Sequence, residues 1–407
     1  MDRPIESKVT DWASDFDHAD PAYNRHAHQI WDDLRSRCPV AHSDRYGGVW
    51  LPVTHELVRE IAYDTEHFTS RSVVVSTIPP TGVAPVGSAP PITSDPPFHR
   101  EARRLLLPVF APKTIEAREA SVRALCRRRL DEMGPITPGT SVVDAARQYA
   151  QHIPASVIAG MLGFPERDHN LLLAFVHDLL ETVNLGEAEQ MPGRDRLDAY
   201  INDQIADHRR HPREDLTTYL LNATIDGHGL SDRHVFGTIM LLLLAGIDTA
   251  RATIGSSLWH LASHPDDLAR LVKEPSLMPT AIEEFLRAYA PATMARMVKK
   301  DFAFHGCPMK VDEWVLLPFP AANRDPAAFD RPAEVLIDRE VNRHATFGLG
   351  IHRCIGSNLA RLELRVAIEE FIGRFPAFIL ADTAAVEWSV GQIRGPLRLP
   401  LTVLAIG

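Results

Sequence analysis

Between Ser231 and Pro265 the chain carries no proline, and this stretch limits what the rest of it can become. As a helix its roughly 30 residues would run about 45 Å, the full width of an ordinary domain. Ser231 and Asp232 are good N-cap candidates, and Pro265 stops the pattern. The other elements must therefore pack around one long rod. Its apolar portion, Val235 to Ile247, ends at Asp248 and Arg251. That falls short of the ~20 residues a bilayer span needs, so the rod is expected in a protein core.

Helical periodicity recurs over 27–37, 54–63, 113–133, 144–163, 165–183 and 195–210, and another helix begins near His99. One more lies between Pro279 and Pro291, and a last one over 355–374 sets Leu359, Leu362 and Val366 on one face. Strand signals are fewer: a hairpin over 44–53 around Gly47-Gly48, then 293–298, 302–305, 313–317 and 397–405. Residues 79–97 hold seven prolines, which supply no backbone donor, so an irregular loop is expected there. The expected fold class is mainly α with a small β region, in a single domain over 1–407 with a loosely ordered segment 1–20. No repeat, Gly/Ser linker or block of like charge argues for a division.

At 45% hydrophobic residues the chain can bury a large core. A net charge of −10 argues against nucleic acid as the main partner, because phosphate binding needs a basic footprint. The four cysteines, at 38, 126, 307 and 354, form neither a CxxC nor a zinc spacing and suit a reducing compartment. The opening MDRPIESKVTDW is polar and acidic, unlike a signal peptide. A cytoplasmic protein with no membrane partner is expected.

The chemistry concentrates in Phe347-Gly348-Leu349-Gly350-Ile351-His352-Arg353-Cys354-Ile355-Gly356. Its glycines permit a tight turn and a close backbone approach to a flat group. Cys354 precedes a helix, whose N–H groups and dipole favour thiolate over thiol. Such a thiolate can be a nucleophile or a metal ligand, although a cysteine in a glycine turn, taken alone, is more often structural. The whole segment matches FGxGxHxCxG and so resembles the haem-binding signature of the cytochrome P450 family. The resemblance implies an α-rich triangular prism fold, haem b, and Cys354 as the proximal iron ligand, pushing electron density toward O–O cleavage. It further implies that Phe347 packs near the sulfur, that His352 faces a haem propionate, and that Gly356 belongs to the cofactor loop.

Three other segments resemble the family at their expected places. Glu284-Phe285-Leu286-Arg287 would be a surface pair on a helix if met alone. The resemblance makes Glu284 and Arg287, with Arg339, a structural triad around the haem. Ala245-Gly246-Ile247-Asp248-Thr249 puts an acid, a hydroxyl and a glycine in mid-helix, where they are poor local choices. It resembles AGxDT, where the helix bulges, Ala245 touches the cofactor, Thr249 hydrogen-bonds dioxygen and Asp248 feeds protons inward. His99 and Arg103, four apart, share a helix face. They sit in a segment resembling DPPEHTRLR, and with Arg296 they would hold the propionates. The segment departs from that wording at Phe98 and Glu101, and Ala250 stands where many relatives carry a second threonine.

Across about 20–405 the resemblance implies a monooxygenase that inserts one atom of O₂ into a small hydrophobic substrate. A terpenoid or aromatic compound suits the expected pocket wall, which includes Val73 to Ile78, Val83 to Val86, Leu241, Leu244, Ala245, Thr293, Met294 and Val390 to Ile393. Arg71 could anchor a carboxylate, although a surface or loop-pinning role is the expectation. The chain has no flavin, nicotinamide or iron–sulfur fingerprint, so electrons should come from a separate ferredoxin with its NAD(P)H reductase. Arg100, Arg103, Arg104, Arg127, Arg128, Arg343, Arg353 and Arg361 would offer it a basic face. A monomer is expected. A peroxide-using haem-thiolate enzyme or a non-catalytic haem protein would keep the cysteine but leave the Asp248-Thr249 pair idle. A thiol metal site of His352 and Cys354 would leave every other motif unexplained.

Overall fold

The computed structural model of the chain describes residues 8–75, 88–182 and 187–407, the side chains of Asn24 and 177–193 aside. The long stretch is one unbroken helix, Asp232–Ser263, capped by the Ser231 side chain, which accepts from the His234 N–H at 3.2 Å. By length and composition it could cross a membrane, which the apolar run alone did not suggest, but 61% of its most apolar window is buried inside the protein. Ile239, Leu243, Ile254, Leu258 and Leu261 are fully buried along it. It packs on the helices His152–Met161, His169–Thr182 and Ser357–Arg374.

Beside this helical body lies a five-stranded sheet in the order Val40–Ser43, Val49–Pro52, Trp314–Pro318, Thr293–Val298, Phe68–Thr69. Only Val49–Pro52 and Trp314–Pro318 run parallel in it. The expected hairpin is present, with its turn at Gly47 and Gly48, both at positive φ, but its first strand starts earlier, at Val40. A second sheet joins Ala377–Leu380, Pro400–Ala405 and Val142–Asp144.

Two expectations need correction. The helix read over 144–163 is divided into the strand Val142–Asp144, a π turn over Ala146–Ala150 and an α-helix over His152–Met161. Pro154 explains the restart, because a residue without an N–H is tolerated in a first turn and not in a helix interior. Residues 8–20 are also tied down, not loose. Phe16 is fully buried against the cluster of Tyr23 and Trp31, and the Tyr46 hydroxyl donates to Asp17 at 2.8 Å. Residues 1–7, and 79–87 of the proline-rich stretch, lie outside the described residues.

Candidate active site

The cysteine loop is shaped by its glycines. Gly348 and Gly350 both adopt left-handed backbone, with φ of 73° and 69°. A Cβ on Gly350 would also meet the Ala62 carbonyl oxygen at 2.2 Å. The loop closes where Cys354 N–H donates to the Phe347 carbonyl at 2.6 Å. The helix after it starts at Ser357, three residues beyond the cysteine. Cys354 is accessible yet set deep among protein atoms, and that burial pushes its thiol pKa up. The Gly356 N–H bonded to the sulfur and the charges of Arg103, Arg353 and Arg361 pull the other way. The expected thiolate bias of the helix end is thus opposed by burial in the protein alone. Phe347 lies under the Arg361 guanidinium at 4.5 Å, and Glu283 clamps that arginine from the far side at 2.6 Å.

Donors and cations converge beside this loop. The rings of His99 and His352 meet at 4.3 Å, and His352 Nε2 pairs with Ser70 Oγ at 2.9 Å. Arg103 reaches across to the Arg353 carbonyl at 2.5 Å. Buried Arg296 donates to the Ala295 carbonyl at 2.8 Å. Burial, then the charges of Arg296, His99 and Arg103, drive His352 down to about 2. Burial, Arg103 and Arg296 bring His99 to about 4. The nearest carboxylate, Asp95, is taken by Thr69 at 2.5 Å and the Ser70 N–H at 3.0 Å. His99 Nε2 is buried with no partner in the protein. Two arginines and two imidazoles thus face one another without a neutralising acid, which a buried group tolerates only if an anion completes the set. The two propionates of a haem fit that requirement.

On the central helix, Ala245 and Thr249 are one turn apart, and Thr249 Oγ1 donates to the Ala245 carbonyl at 2.7 Å. Thr253 and Ser257 repeat this bond at 2.8 Å each. The helix stays unbroken here, so the expected bulge does not interrupt it. Gly246 packs closely on the neighbouring helix, where a Cβ would lie 3.3 Å from the Ile158 side chain. Asp248 is held by Arg251 Nε at 2.7 Å, and Arg251 is itself fixed on the Pro396 carbonyl at 3.1 Å. Arg251 was not singled out from the sequence. A cation three residues beyond a mid-helix acid was the available signal.

Glu284 and Arg287 are fully buried and paired through two bonds of 2.8 Å. Arg339 Nε adds a third bond at 2.9 Å, and Asn342 and the Leu336 N–H complete the carboxylate at 3.0 and 2.8 Å. Arg287 in turn donates to the carbonyls of Asn323, Pro332 and Glu334. The three expected residues thus meet at one buried carboxylate. Asn342 and Glu283 were missed, since their partners lie far away in sequence.

The expected substrate wall is brought together in part. Val73 O accepts from Ala295 N–H at 2.9 Å, Gln392 O from Thr293 N–H at 2.9 Å, and Ile393 bridges Ala292. Leu241 lies one turn before Ala245, and Leu244 is half-buried beside it. Other members face elsewhere: Val390 is exposed, and Gln392 lines a cavity on the Thr293 side of the sheet. Val75 is fully buried in the Trp31 cluster. Thr293 shares its strand face with Ala295 and Met297, which pack in that same cluster, whereas Met294 and Arg296 take the other face. Residues 76–78 and Val83 to Val86 lie outside the described residues. Arg71 is bound to Asp312 and Met297, as a loop pin should be. Of the basic residues, Arg127 pairs with Glu370, Arg128 with Glu166, Arg361 with Glu283, and Arg100 and Arg104 with Glu101.

The family model described as Cytochrome P450 matches residues 169–385. A probable cytochrome P450, 127A1, of Sinorhizobium fredii is 33% identical over 87% of this chain and 83% of its own. The steroid C26-monooxygenase of Mycolicibacterium smegmatis is 31% identical over 92% of each chain. The solved structure of PksS, the cytochrome P450 of the bacillaene polyketide synthase of Bacillus subtilis, superposes with a TM-score of 0.86 at 27% identity, covering 96% of this chain and 100% of that one. With that fold around the Cys354 loop and its donor set, the chain belongs to the cytochrome P450 family and is a haem-thiolate monooxygenase whose cofactor is haem b.

Proposed function

We propose that Cys354 Sγ is the protein ligand of the iron, that His99, Arg103, Arg296 and His352 hold the propionates, and that a single domain carries the oxygenation. The observation that carries this reading is the donor set beside the cysteine, in which His99 Nε2 is buried and unpartnered. Bound haem supplies the activation of dioxygen and takes up the electrons. The chain's own residues do the rest. Thr249 parks its hydroxyl proton on the Ala245 carbonyl. Rotation away from that carbonyl lets Oγ1 donate into the pocket. Asp248, held by Arg251, relays protons from outside to that hydroxyl, which suits a reaction consuming two protons per oxygen atom inserted. Leu241, Leu244, Met294 and Ile393 give a largely apolar wall, so the substrate is a small hydrophobic compound, of terpenoid or aromatic type. A steroid, the substrate named for the Mycolicibacterium relative, has the same character.

Electrons reach the cysteine side from a separate ferredoxin served by an NAD(P)H reductase, and the protein works as a monomer in the cytoplasm. Arg343 and Arg353 are exposed and have no ion pair among the described residues, which leaves them available to an acidic carrier. The test is the absorption spectrum of the reduced protein under carbon monoxide. The red-shifted Soret band of a thiolate-ligated haem is expected. An unshifted band would mean that a neutral thiol or another residue holds the iron, and the thiolate mechanism would fall with it.

A further inference from the structure

A cavity of about 610 Å³ lies on the Thr293 side of the sheet, and none of His99, Arg103, Thr249, Arg296, His352 or Cys354 lines it. Three of its walls are the indoles of Trp31, Trp259 and Trp388, the last two meeting edge to face at 5.3 Å. Its polar part is cationic. The Arg394 guanidinium lies 4.9 Å over the Trp388 ring, and its buried Nε has no acceptor. Gln392 Nε2 is likewise buried and unpaired. Arg324 donates to the carbonyls of Ala288 and Ala333 at 3.3 and 3.5 Å. No carboxylate pairs with either arginine among the described residues. Burial pulls Arg394 down, and burial with the charges of Arg287 and Arg394 pulls Arg324 down to about 10. Glu334, at the exposed edge, turns to Arg331 at 3.4 Å.

Half-buried guanidiniums with unused donors favour an anion, and flat indole walls favour a flat apolar body. We propose that this cavity binds a planar aromatic carboxylate about the size of two fused rings, its carboxylate on Arg394, Gln392 and Arg324 and its ring against Trp388 and Trp259. The site is separate from the haem pocket but shares a loop with it. Gln392 O holds the Thr293 N–H at 2.9 Å, and Ile393, next along the chain, bridges Ala292.

The test uses the haem-loaded enzyme with its iron capped by 4-phenylimidazole, 2-naphthoate as the probe and tryptophan emission as the reporter, checked by equilibrium dialysis. Saturable binding at one site per chain, unchanged by the cap, is expected. The neutral alcohol 2-naphthalenemethanol should bind about tenfold or more weakly, the loss of one charge-assisted contact. Arg394→Gln should show the same loss for the acid. Trp388→Leu, whose haem spectrum verifies its fold, should also weaken binding, and this keeps the test open if the arginine variant does not fold. Lack of saturable binding, displacement by 4-phenylimidazole, or equal affinity for acid and alcohol would each overturn the proposal.

Discussion

The four cysteines differ only through their surroundings. Cys126 is buried, and burial pushes its thiol to about 12. Cys38 and Cys307 are half-buried, and Cys354 alone is accessible. Cys354→Ala should therefore abolish the red-shifted carbon monoxide band, while Cys126→Ala should keep it. At Thr249, loss of the hydroxyl leaves the Ala245 carbonyl without its side-chain donor and the pocket without a proton donor. Thr249→Ala should retain haem and consume NAD(P)H, but release hydrogen peroxide in place of most product. Full coupling in that variant would count against the relay. Asp248→Asn should slow turnover about a hundredfold, the order expected for a lost general acid, with substrate affinity little changed.

Helices and segments are held by buried polar groups that cannot afford to lose a partner. In the Glu284–Arg287–Arg339 lock, removing Arg287 leaves a fully buried carboxylate with one cation fewer. Arg287→Ala should cost about 3–5 kcal/mol, read as a lower Tm and poor haem retention. At the N-terminal segment, His18 is buried against Tyr46 at 5.1 Å with neither ring nitrogen bonded. Burial outweighs the nearby Asp17 charge and brings its pKa to about 4 from 6.5. The unfolded chain therefore binds an extra proton between those values. The contribution of His18 is full above about pH 6.5 and falls by about 3 kcal/mol as pH drops to 4. Urea unfolding at pH 7 and 5 should show about 2 kcal/mol of that loss in the wild type and a smaller one in His18→Phe. Equal losses would rule His18 out as its source.

For the whole molecule, a net charge of −10 would repel an acidic electron carrier unless the cysteine side is locally basic. Five of the eight arginines proposed for that role are tied to glutamates, which trims the field they project. The unpaired Arg343 should then weigh more than its neighbours. Arg343→Glu should slow reduction by an acidic ferredoxin about tenfold at low salt, and the difference should shrink as ionic strength rises. Stopped-flow reduction of the carbon monoxide complex measures it, and a salt-independent effect would point to a contact other than charge.

Some of this was settled by residues close together in the chain. The cysteine loop spans ten positions, the acid–hydroxyl element one helix turn, and the Glu284/Arg287 and His99/Arg103 pairs one turn each, so covalent spacing already fixes their geometry. The long helix was legible for the same reason, since a proline-free run between a cap and a breaker is a local property. Tertiary structure decided the rest, because it depends on which distant segments meet and in what register. Thr293 opposes Pro318 and Met294 opposes Leu317, and a slip of one residue would exchange the faces of Thr293 and Arg296, moving a cation from one cavity to the other. Arg339 and Asn342 reach Glu284 across more than fifty residues, and Arg394 meets Trp388 over a cavity that no motif announces. Local spacing names the chemistry a segment can do; long-range packing determines which charges are left without partners, and so where a ligand is needed.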